Sequence, residues 1–528
     1  MKKYCTRVLF AGLILFSPLS QGAALGVFDD KVYSTAKLHV KFIDVQGGHL
    51  FPEKWLKSVL SEYTNRKLSA KQIAQLQARL TEYYQRMGYV TSGVVVPEQE
   101  VTDGVLVMQV VHGRVTLLEQ SGGWEMSPAY VQEYFRSNLT VPVNVESLNQ
   151  SLSMLQEHDL VESASARLEP GSTLGESRLS ISLDERRPDF YGVSVDNYQS
   201  PSVGAARLGL SAGNRSLMGM RDRVEVGVGA SEGLKDYSLK YALPLNNRDL
   251  TLQASLQGSE YSIIEEPFNK ADLKSSSRHS QVSLLWPVLR KFDRRGEVFV
   301  GVDQTRSEIS AFNVLEQSME TGALMLGANW RWRSMQHAFA SRVHVEQGTS
   351  ALGSRYDSSQ PDGIYKLAGW LAQYRWQVKP MQSLQSRVNA QWVNEAVPAT
   401  KRFSLGGVNS VRGYRQNRFV RDYGIAASVE WHWQVNKSLE IYPFVDIAEG
   451  LSAANDESNL NDQSATQDKS NAVVQPPQGL VSAGLGLGWQ RKGFQAGLMW
   501  GKPLVSVESV GNDLQDNGVY LGLSYRTR

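Results

Sequence analysis

Beyond Pro188, apolar and polar residues alternate with a period of two, and this repeat limits the fold more than any other feature of the chain. Val224, Val226, Val228 and Ala230 alternate with Glu225, Gly227, Gly229 and Ser231, and Leu250, Leu252, Ala254 and Leu256 alternate with Thr251, Gln253, Ser255 and Gln257. Later, Val429, Trp431, Trp433 and Val435 interleave with Ser428, Glu430, His432 and Gln434, and Val481, Ala483, Leu485, Leu487 and Trp489 with Ser482, Gly484, Gly486, Gly488 and Gln490. Successive side chains of a strand point to opposite faces, so each run makes one apolar face and one polar or tiny face. A soluble sandwich has such faces too. The connections separate the two cases. Short turns at 217–220, 244–248, 436–437 and 492–493 alternate with long polar segments at 262–277, 351–363 and 451–478. That asymmetry belongs to a transmembrane barrel with one tight rim and one looped rim. The runs number sixteen, eleven between Phe190 and Asn394 and five between Gly424 and Arg526. The expected fold is a membrane all-β barrel of sixteen antiparallel strands. The Ser-, Asn-, Asp- and Gln-rich stretch 455–471 cannot bury a core and reads as a mobile extracellular loop.

The N-terminus places the chain in the export pathway. Lys2, Lys3 and Arg7 precede the apolar run 8–16 and the small residues Gly22-Ala23-Ala24, so 1–24 reads as a cleaved signal peptide. A membrane-spanning helix needs about 20 apolar residues, more than this run supplies. The only cysteine, Cys5, lies inside that leader, which leaves the mature chain no disulfide, thiolate ligand or cysteine nucleophile. Lys and Arg number 55 against 53 Asp and Glu, a balance that gives no general attraction to nucleic acid.

Between 38 and 187 the pattern changes to short strands and helices. Ser69 can cap a helix whose apolar positions Ile73, Leu76, Leu80, Tyr83 or Tyr84 and Met87 recur at helical spacing, with Gly88 as its stop. A strand pair, 89–97 and 104–111, follows. A second round has helices near 128–138 and 145–158 and closing strands near 164–169 and 178–183. Each round reads as strand–helix–helix–strand–strand, which makes 38–113 and 114–187 two small α+β domains and leaves 25–37 as a short tether.

Two sets of residues carry a family resemblance. In the first small domain they are Gly88-Tyr89, Pro97, Gln99, Gly104 and Gly113. In the barrel they are Leu405-Gly-Gly407, Val411-Arg412-Gly413-Tyr414 and Phe444-Val-Asp446. In this order the chain resembles the transporter subunits of two-partner secretion, the haemolysin secretion/activation branch of the outer-membrane insertase superfamily. The resemblance implies a barrel at 188–528 preceded by two periplasmic polypeptide-transport-associated (POTRA) domains. It also implies a loop, 396–422, folded back into the lumen, with Arg412 paired to Asp446 on the wall. The residues support the pairing independently: in 441–448 the odd positions Ile441, Pro443, Val445 and Ile447 are apolar, so Tyr442, Phe444 and Asp446 face inward. An arginine fork matches a carboxylate in two places, Gly413 permits a tight turn, and Tyr414 adds a flat ring with a polar tip.

The implied partners are a large secreted exoprotein bound through the POTRA domains, outer-membrane lipid, and the barrel assembly machinery during biogenesis. No nucleic acid is expected. The chain departs from the family in two respects. The tether is too short for a barrel-plugging helix plus linker, and the aromatic assembly signal falls on Tyr525, three residues before the end. No nucleotide-binding glycine loop, metalloprotease motif or complete nucleophile elbow occurs. Catalysis, cofactor and metal are accordingly not expected. The competing readings are a factor that inserts other barrels and, less well supported, a diffusion porin.

Overall fold

The computed structural model describes residues 37–527 apart from 102, 124, 137–138, 267, 313, 355–363, 453–478 and 508–510. The expected leader, all of the tether except Lys37, and the polar stretch 455–471 lie outside the described residues. The chain divides into two compact units, Met1–Arg186 and Arg187–Arg528.

The first unit holds two α+β modules. The first module runs β1 (Leu38–Val40), β2 (Phe42–Gln46), α1 (Glu53–Ser61), β3 (Arg66–Leu68), α2 (Ala70–Arg86), β4 (Gly93–Val95) and β5 (Val105–Val111). Ser69 starts α2 through a reciprocal capping box: its Oγ accepts from the Gln72 N–H, and the Gln72 Oε1 accepts from the Ser69 N–H at 2.9 Å. Leu76, Leu80 and Tyr84 bury one face of α2 against the sheet β2-β5-β4, together with Ile43, Leu106 and Met108. Met87 leaves that face; it is the C-cap and 55% exposed. The strand expected over 89–97 shrinks to β4, because Tyr89–Ser92 form a turn closed by the Ser92 N–H on the Tyr89 carbonyl. A small β1/β3 sheet, pairing Leu38 with Leu68, is additional. Three-residue strands are too short to show a period.

The second module runs β6 (Arg114–Ser121), α3 (Pro128–Arg136), α4 (Val145–Gln156), β7 (Val161–Pro170) and β8 (Glu176–Glu185), with sheet order β6-β8-β7. Tyr130, Phe135, Leu152, Leu155, Leu179 and Ile181 form its separate core.

The second unit is a closed barrel. Its strands are β9 (Asp189–Asp196), β10 (Arg207–Asn214), β11 (Arg223–Ala230), β12 (Leu234–Pro244), β13 (Thr251–Ser262), β14 (Lys274–Arg290), β15 (Arg294–Ala311), β16 (Val314–Arg333), β17 (His337–Gly348), β18 (Lys366–Lys379) and β19 (Gln382–Val393). A small hairpin, β20 (Phe403–Leu405) and β21 (Phe419–Arg421), leaves the wall. The barrel resumes with β22 (Tyr423–Gln434), β23 (Leu439–Leu451), β24 (Gly479–Arg491), β25 (Phe494–Pro503) and β26 (Val519–Arg526). All sixteen wall strands pair antiparallel, and β26 closes on β9 from Gly522 opposite Asp196 to Arg526 opposite Gly192. The faces are inverted relative to a soluble protein. Trp286, Leu326, Val445 and Ile447 are exposed outside, whereas Asp303, Thr321, Ser428 and Asp446 are buried inside. Outward apolar and inward polar residues are the arrangement that hydrocarbon selects. No described helix is long and apolar enough to cross a membrane.

Candidate functional site: a loop seated in the barrel lumen

After β19 the chain leaves the wall and returns at β22. The neck is tied by the Gln391 Nε2, which donates to the carbonyls of Lys401 and Asp422 at 2.8 Å each, and by the Val397 N–H on Asp422 Oδ1. The β20/β21 hairpin forms an arm whose Phe403 and Leu405 are buried. At its end Gly406 and Gly407 both take φ of 94°, a left-handed setting that favours glycine, and the Gly407 N–H bonds the Val411 carbonyl to close the tip.

The seat is built from apolar residues on the inner wall. Val411 and Tyr414, with Phe403 and Leu405, pack on Ala426, Ala448 and Leu480. Arg412 is 2% exposed. Its Nε donates to Asp446 Oδ2 and its Nη2 to Asp446 Oδ1, both at 2.8 Å, while its backbone N–H reaches Asp446 Oδ2 at 3.0 Å. The same guanidinium donates to Ser428 Oγ at 2.9 Å, lies 2.7 Å from Glu430 Oε1, and sits 3.5 Å above the Phe444 ring. One planar cation thus meets two acids, a hydroxyl and a π face with its fork fully used.

The remaining motif residues shape the approach. Gly413 has φ of 98°, and a Cβ there would meet the Gly501 carbonyl oxygen at 2.9 Å. Gly501 faces it in return, since its own Cβ would meet the Arg412 carbonyl oxygen at 2.8 Å. The loop backbone therefore lies directly on β25. The Tyr414 hydroxyl lies 2.8 Å from the Val481 carbonyl oxygen and accepts the Val505 N–H at 3.2 Å. Tyr520 of β26 uses one hydroxyl twice, accepting from the Gly413 N–H at 3.2 Å and donating to the Tyr414 carbonyl. Arg415 bonds Asp516 through Nε and Nη2 and Glu265 Oε1 at 2.7 Å.

The structure thus brings Val411, Arg412, Gly413 and Tyr414 onto Phe444 and Asp446. Sequence reasoning missed Glu430, Gly501, Tyr520, Asp516, Glu265 and Lys401. Glu430, Gly501 and Tyr520 carried a signal, because all three occupy inward positions of alternating strands. Asp516, Glu265 and Lys401 carried none.

The small-domain motif residues are elsewhere and do structural work of their own. The Gly88 carbonyl accepts the Val145 N–H at 3.0 Å and the Gly113 carbonyl accepts the Val143 N–H at 2.8 Å, so both glycines join the first module to the second. The Gly104 carbonyl accepts from Lys41 and Phe42. The Gln99 side chain pairs with both main-chain groups of Val107, donating at 2.7 Å and accepting at 2.8 Å. Tyr89 packs edge-on to Tyr84, and the Pro97 carbonyl lies 3.3 Å from the Gln99 Nε2.

Residues 175–465 match the model of the haemolysin secretion/activation proteins ShlB, FhaC and HecB, and residues 38–113 match the ShlB-type POTRA domain. The chain belongs to this family. Among curated relatives, the outer membrane transporter CdiB of Dickeya dadantii is 21% identical over 385 residues, covering 70% of this chain and 68% of the relative. The heme/hemopexin transporter protein HuxB of Haemophilus influenzae is 21% identical over 391 residues, covering 71% and 68%. The fold is shared with CdiB from Escherichia coli, at a TM-score of 0.66 and 17% identity with 98% of this chain and 94% of that chain covered. It is also shared with BamA from Haemophilus ducreyi lacking POTRA domains 1–3, at 0.56 and 12% identity, covering 93% of this chain and 100% of that chain. This family member is an outer-membrane transporter of two-partner secretion, with periplasmic N-terminal domains, and it is not an enzyme. Among the described residues no cluster of histidines and acids could hold a metal.

Proposed function

We propose that the POTRA domains capture one large exoprotein in an extended state and that the barrel passes it outward once the Arg412 tip leaves its seat. The seated tip carries this reading: a buried arginine held by Asp446 and Glu430 on the inner wall is a latch across the lumen. Capture uses strand addition. β2 and β4 flank β5, and β6 and β7 flank β8; Thr81 already bonds both main-chain groups of Val94 in β4, which leaves β2, β6 and β7 as the outer strands that offer main-chain groups to an extended segment. β7 is the longest of these at ten residues. No nucleotide-binding motif accompanies the pore, so folding of the exoprotein outside supplies the direction.

The test expresses the full chain with its co-encoded exoprotein and compares it with a variant lacking 38–113. The expected result is an inserted barrel and no exoprotein in the medium. Undiminished secretion by the deletion removes the POTRA domains from capture. Normal secretion together with loss of other outer-membrane barrels favours the assembly reading instead.

A further inference from the structure

The root of the pore loop carries an ion cluster that takes no part in seating the tip. Lys401 ends the turn Ala399–Lys401, just before the β20/β21 arm. Its Nζ donates to Asp303 Oδ1 at 2.6 Å and to Glu346 Oε2 at 3.0 Å, with the lysine side chain 12% exposed and the two acids more deeply buried. Asp303 lies on the inner face of β15 and Glu346 on that of β17. His279 Nε2 stands 3.2 Å from Asp303 Oδ2, His344 Nε2 stands 3.8 Å from Glu346 Oε1, and the Tyr365 hydroxyl donates to Glu346. In barrel order β18, β19 and β22 separate this wall from the Asp446 strand. The loop is therefore held at two separate stations.

Two carboxylates withdrawn from water need a cation, and an ammonium on a four-carbon stem can leave the loop backbone to reach them. Such a triad is costly to leave half-made, so its presence at the root resists motion there more than at a solvated neck. We propose that Lys401 is a positioning residue of translocation. It fixes the root to the β15–β17 wall, and the β20/β21 arm swings about that anchor when the tip withdraws. The inference rests on the reading of the loop as the gate.

The test uses the full chain in planar bilayers, with exoprotein in the medium and surface-exposed barrel measured in parallel. Lys401→Met is expected to raise spontaneous opening about tenfold or more, because both acids lose their cation. Lys401→Arg restores gating to near the wild type. Asp303→Asn/Glu346→Gln reproduces Lys401→Met and adds nothing to it, whereas Lys401→Met and Arg412→Ala multiply as independent stations. If Lys401→Met gates like the wild type while Arg412→Ala does not, the anchor is wrong and the gate stands. If neither variant changes gating or secretion, the gate reading itself fails. Should Lys401→Met not insert, Asp303→Asn/Glu346→Gln carries the same comparison, and wild-type gating by that variant overturns the anchor.

Discussion

Replacing Arg412 with alanine removes the cation shared by Asp446, which is fully buried, and Glu430, whose side chain is 21% exposed. Breaking a buried ion pair by deleting one partner costs about 3–5 kcal/mol, chiefly because the other charge is left unpaired. The lost stacking on Phe444 adds about 1–2 kcal/mol, the range for a desolvated cation over a ring. With about 1.4 kcal/mol per decade, the ratio of seated to unseated loop falls at least a hundredfold. The barrel ladder is untouched, so Arg412→Ala should reach the surface at the normal level. An unseated loop is a mobile obstruction rather than a withdrawn one, so leak rises and secretion falls together. Asp446→Ala should do the same, since it also orphans the Arg412 backbone N–H. The double variant should match the worse single, because each change strands the same partner. Single-channel recordings, exoprotein in the medium and surface-exposed barrel are the three readouts. Normal secretion and a closed channel in Arg412→Ala would refute the latch, and so would strictly additive effects in the cycle.

Other variants probe the supports. Gly501→Ala and Gly413→Ala should each raise channel leak, because each Cβ enters the same contact between loop and β25; an unchanged recording would mean the loop is not pressed on that strand. Gln99→Ala removes both side-chain bonds to Val107, about 1 kcal/mol each, and should lower the melting temperature of the first POTRA domain by several degrees without affecting barrel insertion. In the second domain a hydrogen bond from Thr173, then one from Arg114, holds the Glu176 carboxyl below its ordinary range. A depressed folded value means its stabilisation is complete above about pH 4, the unfolded range, and fades as pH falls through the folded value. Melting of the N-terminal unit from pH 7 to 3 should show Glu176→Gln converging on the wild type only at the acid end.

The phase of β23 is legible in the sequence alone, since Pro443, Val445 and Ile447 leave Asp446 the inner face in a strand that must present its apolar side to lipid. The same logic put Ser428, Glu430 and His432 on the lumen wall. Alternation assigns a face, however, and says nothing about position around the ring. Lys401 meets Asp303 at a separation of 98 residues and Arg415 meets Glu265 at 150. Such pairs depend on barrel closure and on where a folded loop comes to rest, and no local period encodes either. In the first POTRA domain the Ser69 cap was plain in the sequence, and the structure adds Gln72 as its reciprocal partner. The turn at Tyr89–Ser92 was not plain, because aromatic and β-branched residues there imitate a strand.

In the proposed mechanism the exoprotein passes through the lumen past the Arg412 seat. This route is tested most directly by a photo-crosslinking residue placed at Ser428 on the inner wall and, separately, at Val445 on the outer face of the next strand, with the exoprotein stalled in transit by a fused stable domain. Crosslinks to the exoprotein are expected at Ser428 and none at Val445. Crosslinks at Val445 alone, or none at Ser428 during a verified stall, would contradict that route.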